Sequence, residues 1–391
     1  MNLVLFDPAQ SSGLLPLTYT RPVAELRIGG LTIAEKWNKR LHAEVSWLTK
    51  EYLQSIYPFR FTADNFFINS EVIPDDALCN KVAELSMGHG LRDEHGAITW
   101  RSGQWNSDLM PEDIQWHDLS PAVRRVKHSY DIFTLNAQEI QADYDLLTRS
   151  TSSAKLPAGV QCNDPSKVFL APDAVLEHCT LNTSDGPIFI DSGALIMDGA
   201  LLRGPLFIGA HSVIKMGAKI YGATTIGPYC KAGGEINNSV MMGHSNKGHD
   251  GFLGNSVLGY WCNLGADTNT SNLKNNYDQV RLWDYASERF AHTGLQFCGL
   301  IMGDHSKCAI NTAFNTGTVV GVSANVFGAG FPKNFIPSFS WGGAGSMTTY
   351  GLIKAVETAK RVMQRRGIEW TAQDQKVFEA IFEASKSWRR D

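Results

Sequence analysis

A chain of 391 residues with 35 Lys and Arg against 39 Asp and Glu carries a formal charge of −4 and no basic run, which excludes the electrostatic footprint of a nucleic-acid binder or of a protein held on an anionic membrane. At roughly 150 residues per domain the length predicts two or three domains, and nowhere do about eighteen apolar residues follow one another as a membrane span requires. Seven cysteines, an odd number with no CxxC pair, read as core residues rather than as disulfides or a zinc site. The start, MNLVLFDP, has no charged segment leading into a long apolar one, so a cytoplasmic protein is expected.

Residues 2–6 (NLVLF) predict a buried first strand. Asp7-Pro8 and a loop rich in Gly, Ser, Thr and Pro follow, up to Gly29-Gly30, and then a helix from about Thr32 to Arg40. A strand, a glycine loop and a helix in this order form the layout in which backbone amides and a helix N-terminus cradle a nucleotide phosphate. A second helix is predicted over 135–149, where Leu135, Ile140, Tyr144, Leu146 and Leu147 recur at helical spacing. The serine-rich patch from Ser150 through Pro157 reads as a domain boundary.

The segment PLTYTRPVAELRIGG (16–30) resembles the phosphate loop of sugar-phosphate nucleotidyltransferases, and NFFINSEVIPDD (65–76) resembles the strand that carries their metal-binding carboxylate. The resemblance implies an α/β, Rossmann-like domain over 1–153. It puts Arg21 and Arg27 near nucleotide phosphates and Glu71 on Mg²⁺, with UTP as the nucleotide. Ser11-Ser12-Gly13 stands where that family has Gly-Thr-Arg, and Val23 stands where it has a phosphate-binding Lys.

From 190 an aliphatic or small residue recurs every sixth position: Ile190, Ile196, Leu202, Ile208, Ile214, Ile220, Ile226, Ala232. Small residues such as Ala194, Ser212 and Cys230 sit four places after most of them. A period of six matches neither a helix nor a solvent-facing strand, and predicts a β-helix of hexapeptides that gives one side chain per unit to a shared interior. The signal returns with Phe252, Leu258 and Leu264, and again from Met302 to Val326. The stretch 233–251 between the frames reads as a loop thrown out of the solenoid, where function is expected. The interruption 272–298, with Tyr277, Arg281, Trp283, Tyr285 and Arg289, reads chiefly as packing against a neighbouring subunit, with shaping of the coenzyme entrance as the other reading.

Glu235, Gly248-His249, the run from Phe252 to Asn255, Asn263 to Ala266, and Thr268 together resemble the acetyltransferase half of bifunctional GlmU-type enzymes. That family acetylates glucosamine-1-phosphate from acetyl-CoA and couples the product to UTP. The resemblance implies a left-handed parallel β-helix over 160–345, helices over 346–391, and a homotrimer in sugar-nucleotide or cell-envelope biosynthesis. It makes His249 the general base and Glu235 its acidic partner. Asn263 and Asn272 would contact the substrate, with Ala266 and Thr268 beside the coenzyme. Asn237 replaces a sugar-phosphate Lys and Phe252 a Tyr, which leaves open either a different amino-sugar or compensation by Lys247 or Lys274. The chemistry suits an imidazole, whose unperturbed pKa of about 6.5 lets it take the proton of an attacking amine.

Two other readings stay open. Hexapeptide β-helices also resemble gamma-type carbonic anhydrases, in which three His bind a metal across a trimer interface, and which would enlist His211, His244 and His249 as ligands. A non-catalytic sugar-nucleotide sensor is the third. After Val326 the pattern predicts helices near 348–366 and 372–388, the second opened by a capping box at Thr371 and Asp374.

Overall fold

Asn2–Phe6 does not alternate: every residue after the first is buried, the signature of a strand covered on both faces. In the computed structural model, which describes residues 1–9, 11–105 and 113–389, this strand sits inside a six-stranded sheet, with parallel neighbours Glu44–Leu48 and Asn65–Asn69. The sheet continues antiparallel through Gly96–Ser102 to His89–Asp93, and Gln115–Asp118 closes it. The helix expected from Thr32 forms as Ile33–Leu41, held by a reciprocal capping box between Thr32 and Glu35. Its Trp37 is fully buried and donates to the carbonyl of Val72. These elements belong to a compact unit of residues 1–14, 20–26 and 31–127.

The second unit takes residues 15–19, 27–30 and 128 onward; the last two residues of the expected tail lie outside the described ones. It is built on a left-handed β-helix. Three stacks of short parallel strands run along it, here called the first, second and third faces, starting at Val168–Leu170, Val175–Leu176 and Gln161–Cys162. One turn takes eighteen residues where the hexads are regular: Leu206 lies beside Thr224, and Leu300 beside Thr318. The residues at six-residue spacing, from Ile190 to Ala232 and from Met302 to Val326, fill the interior, with the small residues between them. Cys179, Cys230, Cys262 and Cys308 are part of that core.

The stretch 233–251 does not leave the solenoid. Ala232 lies beside Lys247, fifteen residues on, and Thr225 beside Val240. The turn is shortened at its corners while the strands Glu235–Asn237, Val240–Gly243 and Asn246–Lys247 stay in register. The sequence period breaks because corner residues are missing, although the coil goes on. The inward residues here are Ile236, Met241 and Leu253. Phe252, expected on the lattice, therefore faces outward, since neighbours in a strand point to opposite sides.

The first face is greasy on its outside too. Phe169, Phe189 and Phe207 stack with centroids 4.5 and 4.8 Å apart, and Ile140 on the helix Asn136–Thr148 packs against them. That helix, expected within 1–153, is thus part of the second unit, and the first compact unit stops at Lys127. Gly29-Gly30 lies in the same contact. Asn136 and Asp143 accept from the amides of Gly29 and Gly30, at 2.7 and 2.8 Å. A Cβ at Gly30 would strike the Phe207 ring. The amides expected to cradle phosphate are used up by the protein's own side chains.

The interruption 272–298 folds back as a hairpin, Arg281–Asp284 with Arg289–His292, and lays Trp283 on Phe335 of the same chain. The tail helices form as Leu352–Gln364 and Ala372–Ala384, the second with the expected Thr371–Asp374 box. Phe378 and Phe382 pack edge-on against Phe339 at the end of the solenoid. Ile353, in the first turn of the first tail helix, is 77% exposed.

Replacing Phe189, sandwiched between two rings, by Ala should cost about 3–5 kcal/mol in urea unfolding. Leu201→Ala, on the open third face, should cost less than about 0.5 kcal/mol.

Candidate functional site

A hexapeptide coil leaves the ends of its strands as corners, where side chains leave the lattice and face solvent. The corner between the second and third faces carries Gly248-His249-Asp250 between Asn246–Lys247 and Phe252–Gly254. One turn on, it carries Gly265-Ala266-Asp267. His249 and Ala266 line one cleft of about 370 Å³ there, together with Asp250, Asp267 and Lys215. The two residues that sequence reasoning singled out as base and coenzyme neighbour are thus brought together. Asp250 and Asp267 were missed, although each stands beside a residue already chosen.

The remaining residues sort by the direction the lattice gives them. Glu235 and Phe252 are paired neighbours on the outer side of the third face. Glu235 accepts a hydrogen bond from the Tyr221 hydroxyl at 2.6 Å. That bond, then burial, pushes the phenol up to about 12. Among the described residues Glu235 makes no hydrogen bond to the His249 ring, so Tyr221 takes the place expected for the base. Asn237 pairs across to Tyr221 and Gly254, and Asn272 donates to Asn255 at 2.8 Å. Asn263 lies on the second face and accepts from Asn246 at 3.3 Å.

Two expected ligand contacts point inward. Lys247 occupies the lattice position beside Ala232, fully buried. Its ammonium donates to the carbonyls of Gly233, His249 and Asp250. Burial brings it down to about 8. It pins the turn that carries His249 and does not reach a substrate. Thr268 is likewise inside, donating to the Gly265 carbonyl at 2.7 Å. Both occupy inward places of the coil, which motif matching does not distinguish from outward ones.

The three histidines of the metal reading do not meet within the chain. His211 and His244 lie at the corner between the first and second faces, and His249 at the next corner. His244 is clamped between Tyr229 and Trp261, with centroids 4.8 and 4.1 Å away. These rings sit on residues with positive φ: His211, Tyr229, His244 and Trp261. The ladder is a packing device at a left-handed bend. Burial, aided by the Arg366 guanidinium, brings His244 down to about 4.

In the first unit, Asp7 follows the first strand, and its carboxylate gathers the ends of three strands. It accepts from Ser70 at 2.8 Å, from Thr49 at 2.5 Å and from the Val23 amide at 2.9 Å. A cleft of about 300 Å³ opens beside it, lined by Ser11, Thr49, Lys50 and Trp105 among others. This is the carboxyl end of parallel strands, where α/β sheets take their ligands. Burial raises the Asp7 carboxyl and lowers Lys50. Of the residues expected on nucleotide and metal, Arg21 and Glu71 are buried in this unit and do not line the cleft. Arg27 belongs to the second unit, where its guanidinium donates to the carbonyls of Met242 and Gly30. The strand ends, more than the arginines, were the signal to follow.

Residues 3–152 match the family model described as sugar nucleotidyl transferase. The bifunctional protein GlmU of Methanocaldococcus jannaschii is 32% identical over 87 residues, covering 22% of this chain and 21% of that protein. That of Methanococcus aeolicus is 31% identical over 87 residues, with 22% and 20% covered. The chain resembles the GlmU proteins. It matches about a fifth of the length of these curated relatives. Similar solved structures include the polySia-specific acetyltransferase NeuO, at 15% identity over 49% of this chain and 85% of that one, TM-score 0.27. Another is the Francisella novicida UDP-N-acetylglucosamine acyltransferase, at 14% identity over 61% and 78%, TM-score 0.22. Among the described residues no helix is long and apolar enough to cross a membrane.

One titration in this GlmU-like chain is set by the fold. His244 is lowered from 6.5 to about 4, so its neutral form stabilises the folded state above pH 6.5, and that contribution is lost as the pH falls toward 4. The melting temperature should drop over this interval. In His244→Phe, which keeps the stack but cannot titrate, it should drop less.

Proposed function

We propose that this protein transfers an acetyl group from acetyl-CoA to the amine of an amino-sugar phosphate of the glucosamine-1-phosphate kind. The observation that carries the reading is the shared cleft of His249 and Ala266 at one corner of the β-helix. Bound acetyl-CoA supplies the activated acyl group. The acceptor's ammonium first gives one proton to solvent; as the amine nitrogen bonds to the thioester carbon, His249 takes its second proton, and a backbone amide near Ala266 meets the oxyanion. The C–S bond then breaks, and the proton passes to the departing thiolate. Asp250 and Asp267 line the same cleft and put negative charge near the imidazolium that forms. Lys215 in the same cleft, and not Lys247, is the cation placed for the acceptor's phosphate.

We further propose that the first unit handles a nucleotide in the cleft beside Asp7 and Lys50, with UTP and Mg²⁺ as its ligands in a uridylyl transfer. The match of residues 3–152 to sugar nucleotidyl transferases supports this. A homotrimer in the cytoplasm, with a role in sugar-nucleotide and cell-envelope biosynthesis, completes the proposal.

The test is thiol release from acetyl-CoA with glucosamine-1-phosphate or glucosamine as acceptor. His249→Ala should slow acetyl transfer by roughly a hundredfold or more with coenzyme affinity nearly intact. Equal loss of binding and turnover, or no release with either acceptor, overturns the reading. Arg21→Ala should leave acetyl transfer unchanged. In parallel, with UTP, Mg²⁺ and an N-acetylated sugar-1-phosphate as the uridylyl acceptor, pyrophosphate release should appear in the native protein and vanish in Lys50→Ala; no release from the native protein removes the uridylyl proposal.

A further inference from the structure

The hairpin that interrupts the β-helix makes a second place for a ligand, away from the His249 corner. Trp283 lies flat on Phe335, with centroids 4.2 Å apart and planes within 10°, and Phe290 meets Trp283 edge-on. A cleft of about 550 Å³ opens along this stack, with Lys274, Arg281 and Lys333 on its walls. A neighbouring cleft of about 440 Å³ shares Lys333 and Phe335, and adds Arg389, Trp388 and the turn Gly343–Ser346. Each has the volume of an ordinary small-molecule site.

The walls are one-sided in charge. Among the described lining residues of the two clefts none is acidic. Neither Arg281 nor Lys333 has an ion pair among the described residues, and both are exposed. Lys274 gives one N–H to the Gln279 carbonyl at 2.7 Å. Lys274, Arg281 and Lys333 face one cleft with no acidic side chain among its described lining residues, and their mutual repulsion is relieved when an anion binds between them. Phe290, 39% exposed, offers a ring face to a planar group.

We propose that this double cleft binds a nucleoside phosphate, its phosphates held by Arg281 and Lys333 at the junction and its base against the aromatic wall. The hairpin residues that read from sequence as interface packing are then a ligand wall. The chemistry is common to the nucleotide end of a coenzyme and to the nucleoside diphosphate of a sugar nucleotide. The site needs no catalytic turnover to be detected, so it stands apart from the acetyl-transfer reading.

The experiment is calorimetric titration of the full chain, without divalent cations, with 3′,5′-ADP, UDP, adenosine and inorganic phosphate. Saturable binding of at least one nucleotide is expected, with adenosine and inorganic phosphate each weaker by roughly tenfold or more. The Arg281→Ala/Lys333→Ala variant should weaken that binding by roughly tenfold or more, since charge-assisted contacts are lost. Both side chains are exposed, and an unchanged melting temperature confirms the fold. Asp7→Asn, in the first unit, should leave this binding in place. A preference for 3′,5′-ADP assigns the coenzyme as source, and a preference for UDP assigns the sugar nucleotide. The proposal is overturned if neither nucleotide binds, if the double variant binds as the native chain does, if Asp7→Asn abolishes the binding, or if inorganic phosphate binds as tightly as the nucleotides.

Discussion

The inward column of the β-helix is the constraint on which the second unit depends. No hexapeptide strand can bury its apolar side alone, and each one does so only between the turns before and after it. Ile190, Ile208 and Ile226 lie in register on successive turns of the first face, each fully buried. At about 1.5–3 kcal/mol for each large apolar side chain removed from water, such a column tolerates few polar members. Where one occurs it is satisfied at once. Lys247 stands in the column and spends its ammonium on three carbonyls of the adjoining corner. The residue that interrupts the apolar column therefore fixes the shape of the turn that carries His249.

What covers the outside of the solenoid differs from face to face. The first face carries the Phe169–Phe189–Phe207 ladder, which is far too apolar to leave in water. It is closed by the helix Asn136–Thr148, by Gly29-Gly30 and, farther along, by the hairpin around Trp283. The corner between the first and second faces is an aromatic stack from His211 to Trp261. Arg366, just past the first tail helix, reaches that side, donating to Asn246 at 3.0 Å. Among the described residues the corner between the second and third faces has no such cover. The polar chemistry is found there, with His249, Asp250 and Asp267 around one cleft.

In the first unit the organising group is one buried carboxylate. Asp7 takes hydrogen bonds from the ends of two neighbouring strands and from the loop amide of Val23. The parallel strands thereby end together, with a cleft beside them. Removing a carboxylate that satisfies three donors would leave each of them unpaired in a buried place, which is costly. The same group that defines the rim of the cleft also holds its floor together.

The sequence by itself determined the repeat, because a side chain placed inward every sixth residue leaves a period that no other architecture shares. It also determined the helix caps at Thr32 and Thr371, since capping chemistry is local. Motif resemblance brought His249 and Ala266 to attention, and the fold puts both in one cleft. The tertiary structure alone decided which way each residue points. It turned Lys247 inward and Phe252 outward, because shortened corners at 233–251 shift the lattice without ending it, and it kept Thr268 inside at the regular place four after Leu264. It gave Arg27, Gly29 and Gly30 to packing within the second unit, through contacts with residues more than a hundred positions away. Glu235 was drawn to the Tyr221 hydroxyl, diagonal to it on the strand one turn back, where Lys219 is its register partner. A period in the sequence records what the interior needs; partners across corners and turns depend on the count of residues in between, which only the folded coil resolves.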